Sequence, residues 1–259
     1  MARLAAKPQI GIQMYTFRDL TKDDLLGTLK EVAKIGYQAV EFAGFFGHSA
    51  AEVRKVLDDN GLKAPSAHIP VNFTEPDKME SELAQHIEYA KEVGLEYVIT
   101  PWAPFPDVPS EADVDNFIRI IDKASQMVTA AGLKYGYHNH DFEFKKVGDK
   151  TIMDHLLQRI PAERLIAEFD LGWVHVAGHS PVEYLKAYKG RTPLAHFKDF
   201  AEGRKDTEIG KGSVDFDSVL KVTEEAGIEY IIVEQEQFAS SPLESAAISL
   251  TYFKERGLL

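Results

Sequence analysis

Five times along this 259-residue chain a glycine follows a helical stretch and is itself followed by an apolar residue: Ile35-Gly36-Tyr37, Asn60-Gly61-Leu62, Val93-Gly94-Leu95, Ala131-Gly132-Leu133 and Ala226-Gly227-Ile228. Glycine just past the last turn takes the left-handed conformation that closes a helix. A β-rich run begins within about two to four residues of each, which is the helix-to-strand joint of a repeating βα unit. The strands read as QIGIQM, AVEF, APSAH, YVIT, KYGYH, LIAEF, LAHFK and YIIVE. Helical periodicity fills the intervals near 23–35, 50–60, 78–93, 114–131, 151–160, 181–188, 215–226 and 241–255. Asp23 or Asp24 is placed to cap the first of these helices.

Eight strand–helix pairs without a composition break predict one closed (β/α)8 barrel spanning 1–259 as a single domain. The rival, an open doubly wound sheet, calls for a Gly-rich phosphate loop after an early strand. The chain offers only Ile209-Gly210-Lys211-Gly212-Ser213, which lies late and lacks the spacing.

Composition excludes several chemistries. With no cysteine there is no disulfide, no thiolate metal site and no cysteine nucleophile. Lys plus Arg number 29 against 41 Asp plus Glu, a net charge of −12, which argues against a nucleic-acid partner. No apolar run approaches the roughly 18 residues of a membrane span. The opening Met1-Ala-Arg-Leu-Ala-Ala lacks the apolar stretch of a signal peptide, so the expectation is a cytoplasmic chain.

In a barrel of this kind chemistry sits where the strands end. The polar residues collected there are Glu41, His68, Trp102, His138, His140, Glu143, Asp170, His196, Lys198, Glu234 and Glu236. Alternation along a strand puts Glu168 with Asp170, His196 with Lys198, and Glu234 with Glu236. Taken singly, most of these are ordinary rim charges. Converging carboxylates repel one another and lose hydration, and a cation relieves both costs. The ends of strands five to eight therefore predict a divalent metal site, with Mn²⁺ or Mg²⁺ as the first choice for an oxygen-rich set and Co²⁺ or Zn²⁺ as alternatives.

HNHDFEF, FDLGW, HFKD, IGKGSVDF and VEQE, with MYTFRD near the start, resemble the xylose-isomerase-like TIM barrels, also known as the sugar phosphate isomerase/epimerase or AP endonuclease 2 superfamily. The resemblance covers nearly the whole chain. It implies a metal set Glu, Asp, His, Glu from four successive strands, which Asp170, His196 and Glu234 complete with Glu143 as the first ligand. Where many members have that first Glu this chain has His138, so His138 competes with Glu143 for the place; otherwise His138 and His140 support the site or carry protons.

A metal-bound carbonyl next to a hydroxyl acidifies the carbon between them. The leading expectation is isomerisation or epimerisation of a sugar or keto-sugar, with Glu143 and Glu234 as the acid–base pair and Lys198 assisting by charge. His68, Glu41, Trp102 and Glu236 are the expected substrate contacts, with Phe45 and Phe105 adding an apolar wall. The second reading is a lyase, either an inosose-type dehydratase or an enzyme that eliminates the aglycone of a 3-keto-glycoside. Abasic-site cleavage and non-catalytic sugar binding come last. A phosphorylated substrate would call on Lys198, Arg204, Lys205 or Lys211, although an unphosphorylated sugar is favoured. Related barrels form dimers and tetramers, so a homo-oligomer fits the resemblance.

Overall fold

A computed structural model describes residues 7–259; the opening segment 1–6, read above for a leader, lies outside the described residues. Eight parallel strands close into a barrel: β1 Gln9–Gln13, β2 Ala39–Phe42, β3 Lys63–His68, β4 Tyr97–Thr100, β5 Lys134–His138, β6 Ile166–Asp170, β7 Leu194–Phe197 and β8 Tyr230–Val233. Each strand pairs with its sequence neighbours, and Gln9 opposite Tyr230 closes the ring between β1 and β8. Among the described residues no helix is long and apolar enough to cross a membrane.

Strand alternation divides the molecule into two cores. Outward-facing Ile12, Val40, Phe42, Val98, Tyr137, Phe169, Phe197 and Ile231 pack under the helices in one continuous cluster. Tyr97, Ile99 and Leu194 form a separate plug inside the barrel, with Ile166 and Tyr230 against it. Space inside is short. A Cβ on Gly136 would stand 2.5 Å from Ile99 Cδ1 and 2.7 Å from Ile166 Cδ1, so the glycine makes room for its neighbours' side chains. Two residues further along these strands the same inward face carries His138, Glu168 and His196, all buried. The lining thus changes from apolar to ionisable midway up the barrel.

The helices follow the sequence reading, with local adjustments. The first runs over Arg18–Ile35 and is preceded by a tight turn at Met14–Phe17. Its backbone leaves helical geometry at Asp24, whose carboxylate accepts the Gly27 N–H at 2.8 Å and restarts the helix. A short helix, Leu171–Val176, had no sequence signal beyond FDLGW. It lies so close to β7 that a Cβ on Gly172 would come within 2.2 Å of the Lys198 carbonyl oxygen.

The charged segment from 199 to 213, open in the sequence to a lid or a solvated connection, folds into a hairpin of Asp199–Ala201 against Lys205–Thr207. Its base is organised by one buried anion. The Asp199 carboxylate accepts N–H bonds from Phe200 (3.0 Å), Gly210 (2.9 Å), Gly212 (2.9 Å) and Val214 (3.1 Å). The Gly210-Lys211-Gly212 stretch therefore does wrap an anion, but one belonging to this chain. A Cβ on Gly212 would meet Asp199 Oδ1 at 2.2 Å, which is why glycine stands there. Farther along, Arg204 reaches Asp141 at 2.6 Å and Asp206 accepts the Glu236 N–H at 2.7 Å, tying the hairpin to the loops after β5 and β8.

Replacing Asp199 by Asn puts an amide among four converging N–H donors. The expected result is a loss of about 2–4 kcal/mol in urea denaturation with an unchanged m-value. An unchanged midpoint would show that the cradle contributes nothing.

Candidate metal centre

The segment Tyr137–Phe144 builds one side of the barrel mouth by folding back on itself. Asn139, buried at the end of β5, accepts the Asp170 N–H at 3.2 Å and donates to the Asp170 carbonyl at 3.3 Å. That pair staples β5 to β6. Glu143 accepts the Tyr137 hydroxyl at 2.6 Å and the His140 N–H at 2.8 Å. Burial pushes its carboxyl up to about 7, against the pull of those two hydrogen bonds. Glu143 thus closes the turn and lies outside the groups of ligand atoms that come together in this structure. Nothing in HNHDFEF tells a turn-closing carboxylate from a ligating one; the signal is the hydroxyl of Tyr137, six residues back.

Where the sequence left two candidates, the structure brings in His138. His138, Asp170, His196 and Glu234 come from four consecutive barrel strands or their ends, all buried, with one ligand atom from each inside 4.8 Å of the others. Backbone register prepares this arrangement, since Asp170 is paired with His196 and His138 with Glu168. Asp170 spends one oxygen capping the helix at Leu171, accepting the Trp173 N–H at 2.9 Å, while its Oδ2 is buried with no hydrogen-bond partner. Burial pushes its carboxyl up to about 7, although the Lys198 charge works the other way. For Glu234 burial is outweighed by the Lys198 charge and the His196 bond, and the carboxyl falls well below its ordinary range.

A second set, His68, His138, Glu168 and His196, overlaps the first from below. Within it Glu168 lies 2.8 Å from His68 Nε2 and 3.4 Å from both His138 Nδ1 and His196 Nε2; Glu41, outside the set, lies 3.1 Å from His68 Nε2 and 2.6 Å from His196 Nε2. The contacts with Glu41 and the His68–Glu168 contact are hydrogen-bond spacings, so Glu41 ties this set into a buried network. The lower set is a proton-linked network. Burial opposes charge on His68, but Glu41 and Glu168 outweigh it and lift that imidazole to about 10. Glu168, which the sequence reading placed beside Asp170 without giving it a role, is pushed up to about 7 by burial and by Glu41.

Glu41 was expected to touch substrate. It is fully buried, and its oxygens are taken by Gln13, Ser66 and His196, so no face is left for a ligand. His68, Trp102, His138, His140, Glu234 and Glu236 do line a common cavity of about 440 Å³ at the barrel mouth, with Tyr15, Pro70 and Pro101. Trp102 is 51% exposed on its rim. Burial holds His140 down to about 4 and therefore neutral near pH 7. Lys198 sits behind the wall, 3.9 Å from Glu234 and paired with Glu236, its charge held by Glu234, Asp170 and Glu236 against burial. Phe45 and Phe105 pack instead on Phe42 and Phe117.

Fold and site together define a class, and the comparisons agree. The chain belongs to the xylose isomerase-like TIM barrel family, whose model matches residues 29–256. An inosose dehydratase from Geobacillus kaustophilus (strain HTA426) is 25% identical over 246 residues, covering 81% of this chain and 79% of that protein. A sugar phosphate isomerase/epimerase structure from Parabacteroides distasonis superposes with a TM-score of 0.85 at 24% identity, covering 99% of this chain and 97% of the other. An IOLI protein with a bound zinc atom shares the fold with a TM-score of 0.78 at 15% identity, covering 95% and 97%.

Two substitutions separate the roles of the carboxylates. In titration calorimetry of chelator-stripped protein, Glu143→Gln is expected to hold Mn²⁺ within about tenfold of wild type, and Asp170→Asn to weaken it by more than about 100-fold. The reverse order would return Glu143 to the ligand set.

Proposed function

We propose that the protein is a divalent-cation-dependent lyase that removes water from a polyhydroxylated ketone of the inosose kind. The observation that carries this reading is the buried quartet, two of whose members, His138 and Glu234, line the cavity, with Asp170 Oδ2 lacking any partner. An orphaned carboxylate oxygen among buried donors is costly, and a cation supplies what it lacks. Two imidazoles and two carboxylates suit Mn²⁺, Co²⁺ or Zn²⁺ better than Mg²⁺, because His138 stands where an all-oxygen neighbour was the alternative. Held there, the ion would polarise a substrate carbonyl and acidify the adjacent C–H bond.

The chain's own groups suit elimination. His140, neutral and on the cavity wall, would take the proton from the carbon beside the carbonyl and pass it to the hydroxyl on the next carbon. The C–H electron pair becomes the new C=C bond, and the departing hydroxyl carries the proton away as water. One group serving both steps is enough when they occur on the same face. Lys198 adds positive charge next to Glu234. The rings of Trp102 and Tyr15 offer apolar faces to the carbon skeleton. Among the described residues no Lys or Arg lines the cavity, which favours an unphosphorylated substrate and speaks against an abasic-DNA reading.

The similarity to inosose dehydratase supports the lyase over the isomerase or epimerase that the sequence put first. So does the placement of Glu143, because the acid–base pair of Glu143 and Glu234 is not assembled in the cavity. Incubation with an inosose and Mn²⁺ should release one water per turnover and yield the dehydrated dione. EDTA should abolish this and Mn²⁺ restore it. A product that retains every atom of the substrate and takes up solvent deuterium would replace the lyase by an isomerase.

A further inference from the structure

Below the quartet, Glu41 is the most heavily engaged polar group in the barrel, and the proposed reaction makes no use of it. Gln13, Glu41 and Ser66 are paired in register across β1, β2 and β3, so their side chains lie in one layer. Gln13 Nε2 donates to Glu41 Oε1 at 2.7 Å and Ser66 Oγ donates to Glu41 Oε2 at 2.5 Å. His196 brings Nε2 to Glu41 Oε1 at 2.6 Å. Gln13, Glu41 and Ser66 are fully buried, so no water competes for these bonds, and the other carboxylate facing His196 Nε2, Glu168, stands farther off at 3.4 Å.

Two donors already fix Glu41 as an acceptor, and an accepting carboxylate requires the proton of His196 to sit on Nε2. The opposite ring nitrogen, Nδ1, is hydrogen-bonded to Glu234 Oε2 at 3.0 Å on the side of the quartet, and a cation held between His196 and Glu234 would take the place of the Nδ1 proton while the Nε2 proton stays with Glu41. Resting on the metal reading above, we propose that Glu41 is a positioning residue: by accepting the hydrogen bond from His196 Nε2–H it holds the ring in the tautomer and plane that point Nδ1 toward the cation. The carboxylate pulls on the Nε2 proton, which puts electron density on Nδ1, and the packing of Gln13 and Ser66 fixes the plane of the ring. Ligating imidazoles commonly have such an outer partner, and losing it typically weakens metal binding by about 10–100-fold. His68, whose Nε2 touches both Glu41 and Glu168, belongs to the same layer and limits how far Glu41 can move.

The test compares wild type with Glu41→Gln, which keeps the size and the Gln13 and Ser66 contacts but lacks the charge. In Co²⁺ titrations of chelator-stripped protein the variant should bind about 10–100-fold more weakly, with shifted d–d absorption bands, while circular dichroism and the thermal midpoint stay near wild type. Equal affinity and an unchanged spectrum would overturn the role of Glu41 and leave the metal reading standing. No Co²⁺ binding by wild type would overturn both. If the variant does not fold, ¹¹³Cd-loaded, ¹⁵N-histidine-labelled wild type decides the matter. Cadmium coupling to His196 Nδ1, with a proton on Nε2, supports the assignment, and coupling to Nε2 refutes it.

Discussion

Everything distinctive about this barrel follows from crowding ionisable groups into a space with little water. Glu41, Glu168, Asp170 and Glu234 share the upper interior with His68, His138, His196 and Lys198, and all but His68 are buried outright. Isolated charges in such a place would be neutralised, the carboxylates by taking up protons and the imidazoles and lysine by losing them, or would cost the fold its stability. The chain resolves the conflict in two layers. In the lower one, carboxylates and imidazoles face each other at hydrogen-bond distance, with only Glu168 Oε1 among the Glu41 and Glu168 oxygens left without a partner. In the upper one the arrangement is incomplete, with an oxygen of Asp170 left unpartnered beside His196 and Glu234. A cation held there would give that oxygen the partner it lacks.

The rest of the structure holds this layer still. Asn139 couples the ends of β5 and β6, Glu143 closes the turn beyond His138, and Asp170 both caps a helix and faces the quartet. The hairpin rooted at Asp199 spans from Asp141 to Glu236 and so fixes the two loops that carry His140 and Glu236. Positions that looked chemical are in several cases structural. Such bracing matters because metal ligands and the groups around a reacting carbon must be held to fractions of an ångström.

Much of the architecture was legible in the residues. The helix–glycine–strand joints are local signals, since a helix end in left-handed backbone depends on only a few neighbours, and Gly36, Gly61, Gly94 and Gly227 all take positive φ at helix ends. Strand alternation then placed Asp170, His196 and Glu234 on the inward face. What the sequence could not separate was which of several inward carboxylates meets the cavity. That depends on depth along the barrel and on partners distant in the chain, such as Gln13 and Ser66 for Glu41, or a tyrosine on the outer face for Glu143. The Gly-rich segment near 210, set aside in the sequence because it lacks the spacing of a phosphate loop, proves to wrap the chain's own Asp199 carboxylate, a partner eleven or more residues away that no local pattern announces.

The central claim is that a cation occupies the space between His138, Asp170, His196 and Glu234. Anomalous diffraction from crystals equilibrated with Zn²⁺ or Mn²⁺, recorded on either side of the metal's absorption edge, addresses it directly. The account predicts one strong peak bounded by these four side chains, on the Nδ1 side of His196. A peak among His68, Glu168 and Glu41, or no peak anywhere in the barrel mouth, would contradict it.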